Sequence, residues 1–67
     1  MRIDTTEYQF SHGRKPRGTG RWCFDLFRDH EMTTICTPQP MTYTEARRFA
    51  AIEARKIGGI VEIHVAP

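Results

Sequence analysis

The stretch from Thr42 to Gly59 constrains this chain more than any other. Thr42-Tyr-Thr-Glu45 has the spacing of a capping box, in which the threonine hydroxyl and the glutamate carboxylate each satisfy a backbone amide of the first helical turn. Behind it, Tyr43, Ala46, Phe49, Ala50, Ala54 and Ile57 recur at three- and four-residue spacing and fall on one stripe. Arg48, Ala51, Ile52 and Arg55 point the other way. Gly58 or Gly59 is expected to close the helix in a left-handed cap. One amphipathic helix needs a partner layer, and 67 residues leave room for a single core, hence one domain over residues 1–67. The rest of the chain must supply a sheet.

Residues 7–12, Glu-Tyr-Gln-Phe-Ser-His, alternate apolar and polar with the period of a half-buried strand. Residues 21–28 alternate again, with Trp22, Phe24 and Leu26 on one face. After a polar turn at 29–32, the β-branched run 33–37 predicts a third strand, which Pro38 and Pro40 stop. Residues 60–65 form a fourth, turning Val61, Ile63 and Val65 towards the helix. The fold class is therefore α+β, a two-layer β-β-β-α-β domain. Short loops make the first three strands an antiparallel meander, and the helix returns the chain so that the fourth runs parallel to the first. The expected mixed sheet has the order 3-2-1-4, with one helix on one face. Its open face carries Gln9, Ser11, Arg21, Cys23, Asp25, Phe27, Thr34, Cys36, Glu62 and His64. Phe27 makes that face more apolar than solvent alone requires and marks it as a partner-binding surface, for a second protein or a homodimer.

The net charge is only +2, but it is unevenly spread: residues 13–21 hold Arg14, Lys15, Arg17 and Arg21 and no acid. The same stretch contains Gly13, Pro16, Gly18 and Gly20, a mixture that suits neither helix nor strand and predicts a flexible loop over 13–20. Glycines let a phosphate approach the backbone, and the cations attract it without reading bases. Tyr8 and His12 precede the loop and Trp22 follows it, so rings are at hand to stack on bases, although Trp22 is better placed in the core. Arg48 and Arg55 on the outward helix face, with Arg47 and Lys56 at its margins, would reinforce the loop if they meet the same partner. The plainer alternative is a basic, solvated tip. The chain lacks GxxxxGK[ST], which argues against nucleoside triphosphate binding.

No catalytic set stands out. Ser11 and His12 are adjacent, so in a strand they face opposite sides and cannot act as nucleophile and base. Glu53 sits in the apolar stripe, where it either serves as an acid or, more commonly, pairs with a neighbouring cation. The expectation is a non-enzymatic protein with no cofactor. A turn at 29–32 would set residue 25 opposite 36 and 23 opposite 38, leaving Cys23 and Cys36 diagonal, about 7–8 Å apart. That spacing favours free thiols in a reducing compartment. His64 joining the cysteines on a metal is the weaker alternative, and no metal site is expected. No run approaches the roughly 18 apolar residues of a membrane span. Met1-Arg2-Ile3-Asp4 lacks the apolar stretch of a signal peptide, so a cytoplasmic protein is expected.

The β-β-β-α-β order is that of the half-RNase-H-like domain. With its strand hairpin, Thr44-Glu45-Ala46 opening an alanine-rich helix and a short last strand, the chain resembles HicB-type antitoxin N-terminal domains over nearly its whole length. That resemblance implies an antitoxin-like, protein-binding role. Gly20-Arg-Trp22 and Thr44-Glu-Ala-Arg-Arg-Phe-Ala50 are similar to AP2-like DNA-binding domains, and imply a sheet docked in a major groove. The leading expectation is a nucleic-acid-associated binding module that uses Arg14, Lys15, Arg17, Arg21, Arg48 and Arg55. The alternative is a protein-binding accessory factor, an inhibitor or antitoxin-like adaptor of a phage, plasmid or bacterial system.

Overall fold

The capped helix forms as its sequence dictates. In the computed structural model, which describes residues 2–67, it spans Tyr43–Ile57 (α2) behind Thr42 as N-cap. The Thr42 hydroxyl accepts from the Glu45 amide at 3.2 Å, and the Glu45 carboxylate accepts from the Thr42 amide at 3.1 Å. Ala46, Ala50 and Ala54 are the buried positions of the stripe, with Tyr43, Phe49 and Ile57 half-buried beside them. Gly58 ends the helix at φ 78° with an extended ψ of 154°, so the left-handed cap expected there does not form.

The remaining elements are β1 (Ile3–Asp4), α1 (Thr6–His12), β2 (Thr19–Gly20), β3 (Cys23–Phe27), β4 (Met32–Cys36), β5 (Met41–Thr42) and β6 (Glu62–Val65). The fold is α+β with a mixed four-stranded sheet ordered β1-β6-β3-β4, beside a small antiparallel ribbon of β2 and β5. The sheet lays Phe24, Leu26, Ile63 and Val65, all essentially inaccessible, against α2. Tyr8, Trp22 and Ile60 extend this core, whereas Val61, expected to face the helix, is 59% exposed.

Three expectations are corrected. Residues 7–12 are helical and not a strand. A strand would place Tyr8 and Phe10 on one face, but the helix turns them apart, burying Tyr8 and leaving Phe10 92% exposed. Local contacts accompany the helix: Asp4 accepts from the Thr6 amide at 2.8 Å, Tyr8 and His12 stack one turn apart at 4.0 Å, and Gly13 closes the turn at φ 70°. With that strand gone, the 3-2-1-4 order and the single-helix layer fall as well. The slot beside β3 is filled by β6, antiparallel to it, and the two-residue β1 pairs parallel with β6 at the far edge.

The third correction concerns the hairpin. The Arg28 amide bonds to the Glu31 carbonyl at 2.9 Å, which confines the turn to Asp29 and His30. Phe27 therefore faces Met32, and Cys23 lies directly opposite Cys36. A slip of two residues keeps every side chain on its expected face, but it changes a diagonal pair into a bonded one. Cys23 and Cys36 form a disulfide with Cα atoms 4.0 Å apart, and neither is a free thiol. A persistent bridge belongs to oxidising conditions, so the reducing compartment inferred from free thiols loses that support. Among the described residues, no helix is long and apolar enough to cross a membrane.

Candidate functional site

The cationic loop leaves α1 at Gly13 and ends in the β2–β5 ribbon. Two constraints shape it. Gly18 takes φ 86°, a region that costs a glycine nothing, and Pro16 turns inward and is buried. The far end is tied to α2, where the Tyr43 amide donates to the Gly18 carbonyl at 3.1 Å and Thr19 pairs with Thr42. With the proline inside, Arg14, Lys15, Arg17 and Arg21 are all exposed.

Arg14, Arg17 and Arg21 converge with His12 around a shallow depression of about 290 Å³, to which Tyr8 and Trp22 also contribute. No side chain lining it is a carboxylate. The ion pairs among the described residues lie elsewhere, Lys56 with Glu53 at 3.2 Å and His64 with Glu7 and Glu62. None of these ion pairs engages a loop arginine. Glu53, the carboxylate in the helix stripe, is taken up by Lys56.

Behind the depression runs a line of aromatic contacts. Tyr43 meets Trp22 at 5.1 Å, Trp22 meets Tyr8 at 5.5 Å, and Tyr8 stacks on His12 at 4.0 Å. The Trp22 indole N–H donates to the Met41 carbonyl at 3.2 Å, so its one polar atom is satisfied inside. Trp22 and Tyr8 are buried, which makes them supports for the loop and not stacking platforms. The Arg47 guanidinium lies 5.9 Å from the Tyr43 ring centre. Burial raises the Tyr43 phenol above its ordinary range, against the opposing charge of Arg47. Phe10, near this end of α1, has its ring open to solvent.

The other predicted residues lie apart from this depression. Arg48 lines a separate one with Ile3, Thr44 and Arg47, and Arg55 lines another with Gly58, Gly59 and Ile60. Phe27 is half-buried on the open sheet face, its ring edge-on to His64 at 4.8 Å. That face is acidic: Asp4 and Asp25 flank His64 in register, and Glu7 and Glu62 reach its ring nitrogens at 3.5 and 3.4 Å. The hydroxyl and amide of Thr6 hold the Asp4 carboxyl below its ordinary range. Another depression, of about 460 Å³, adjoins the β3–β4 turn. Its arginine, Arg28, is already engaged, donating to the carbonyls of Ile57 at 2.9 Å and Gly58 at 3.1 Å.

The disulfide removes Cys23 and Cys36 as metal ligands, and among the described residues no cluster of histidine, cysteine and carboxylates is arranged to hold an ion. No family model matches the chain, and no curated protein or solved structure matches it either.

Proposed function

We propose that this chain is a small non-enzymatic binding module that holds the phosphate backbone of a nucleic acid with Arg14, Lys15, Arg17 and Arg21. One observation carries the reading: three loop arginines gather around a single depression lined by no acidic side chain. Such a cluster attracts phosphates by charge and counterion release, without sequence readout. The acidic sheet face around Asp25 and Glu62 repels the same polyanion, so the sheet is not the docking surface, unlike in the AP2-like arrangement. Phe10, exposed just ahead of the loop, is available to stack on an unpaired base. Arg48 and Arg55 join only if the strand continues over α2. A cytoplasmic address belongs with this reading, and there the disulfide would face reduction.

Fluorescence anisotropy with labelled single-stranded and duplex DNA and RNA, at two salt concentrations, tests it. The expected outcome is micromolar affinity that weakens with salt, with a logarithmic slope of about −3 for three to four neutralised duplex phosphates. Absence of salt-dependent binding at micromolar protein overturns it.

A second reading is a protein-binding accessory factor, an inhibitor or antitoxin-like adaptor. It rests on Phe27 and Met32, which lie opposite each other on the open face, Met32 being 56% exposed. A host protein retained by the wild type, lost with Phe27→Asp and kept when the loop cations are removed would favour this reading.

A further inference from the structure

We infer that β4 is the pairing edge of a symmetric homodimer, in which Met32–Cys36 of one copy adds antiparallel to the same strand of a second and joins two four-stranded sheets into one. The inference is independent of the nucleic-acid reading.

The two sheet edges are unlike. One is β1, only two residues long and followed at once by α1. The other is β4, five residues with no charge, proline or glycine, mostly exposed along its length. Natural edges of this length are usually blunted by charged side chains, proline or a bulge, and β4 has none of these.

Its backbone is arranged for self-pairing. Hydrogen-bonded pairs alternate along an antiparallel ladder. The bonds from Thr37 to Trp22 and from Arg28 to Glu31 fix the phase, so Thr33 and Ile35 pair inward with Leu26 and Phe24. The N–H and C=O groups of Met32, Thr34 and Cys36 then point outward. A twofold axis at Thr34 sets Thr34 against its own copy and Met32 against Cys36, so every outward donor meets an outward acceptor. Thr33 falls opposite Ile35 of the partner, a pair of β-branched side chains, and no like charges meet within the strand. The Cys23–Cys36 bridge and the bond from the Thr34 hydroxyl to Asp25 at 2.8 Å hold the edge against β3.

A second copy fits this edge better than a foreign peptide. Peptides that add to a sheet gain specificity from pockets for alternate side chains, and no residue of Met32–Cys36 lines any of the principal depressions. Two short strands bury less than a standard interface, so the dimer is expected to be a dynamic one.

Sedimentation equilibrium of the oxidised protein, from micromolar to millimolar chain, tests the inference. The wild type is expected to dimerise with concentration. Thr34→Pro removes an outward N–H while leaving the β3–β4 ladder intact, and losing the symmetric pair of bonds should raise the dissociation constant at least roughly tenfold. Thr34→Val loses the hydroxyl but keeps the amide, and is expected to dimerise like the wild type. Amide exchange of the wild type by NMR removes dependence on how the proline variant folds. The amides of Met32, Thr34 and Cys36 should gain protection as concentration rises. A wild type that stays monomeric at millimolar chain, or outward amides that exchange as fast when concentrated as when dilute, overturns the inference, as does a folded Thr34→Pro that dimerises unchanged.

Discussion

Arg28 carries two jobs that its place in the sequence conceals. The last carbonyls of any helix lack partners within it, and at the end of α2 the Arg28 guanidinium supplies them for Ile57 and Gly58, placing a positive charge at the negative end of the helix dipole. Arg28→Ala is expected to cost about 1–3 kcal/mol in urea unfolding at neutral pH, because the hydrogen bonds come from a charged donor. Arg28→Lys should recover only part of that, since an ammonium cannot match the guanidinium fork. Two exposed carboxyls act at the other helix ends. The Thr42 amide and hydroxyl hold the Glu45 carboxyl below its ordinary range, as Thr6 does for Asp4. A carboxyl depressed in the fold contributes stability above its unfolded value and loses it as pH falls through the folded one. The thermal midpoint should therefore hold from neutral pH down to about 5 and decline below about 4. Asp4→Asn with Glu45→Gln is expected to flatten that decline, as read by circular dichroism melts.

At the scale of elements, the hairpin of β3 and β4 is held by its disulfide as much as by its ladder. The bridge closes a sequence separation of 13, for which loss of chain entropy in the unfolded state gives roughly 3 kcal/mol. A domain of 67 residues, at about 0.05–0.15 kcal/mol per residue, has only some 3–10 kcal/mol in total. Reduction should therefore lower the urea midpoint by a large fraction. The check is unfolding with and without dithiothreitol, beside a Cys23→Ser/Cys36→Ser variant that should match the reduced protein and ignore the reagent. The two helices differ in how they are specified. α2 carries its own cap and a long stripe, whereas α1 depends on Asp4, Gly13 and the burial of Tyr8.

At the scale of the whole molecule, cations gather on the loop, and carboxylates gather around His64 on the open sheet face with Arg2 beside them. A polyanion should meet such a molecule in one orientation, and grouped substitutions should report which cations it meets. Replacing Arg14, Arg17 and Arg21 by alanine is expected to reduce the magnitude of the salt slope on duplex DNA by about 2–3. The pair Arg48→Ala and Arg55→Ala, in other depressions, should change it by less than about 1. An equal effect of the two sets, measured by anisotropy, would move the contact surface onto α2.

How much of this was legible follows from the range of the forces involved. Capping, helical period and local charge are properties of neighbouring residues, so Thr42, Glu45, the alanine stripe and the acid-free run from Arg14 to Arg21 could be read directly. The six alternating residues 7–12 were too few to separate strand from helix, because the deciding contacts were Tyr8 against Trp22 and the absence of a sheet slot for them. The disulfide turned on a two-residue shift in the hairpin turn, and the convergence of three arginines on one depression turned on a buried Pro16. Those outcomes depend on which surfaces meet across the core, so only the tertiary structure could decide them.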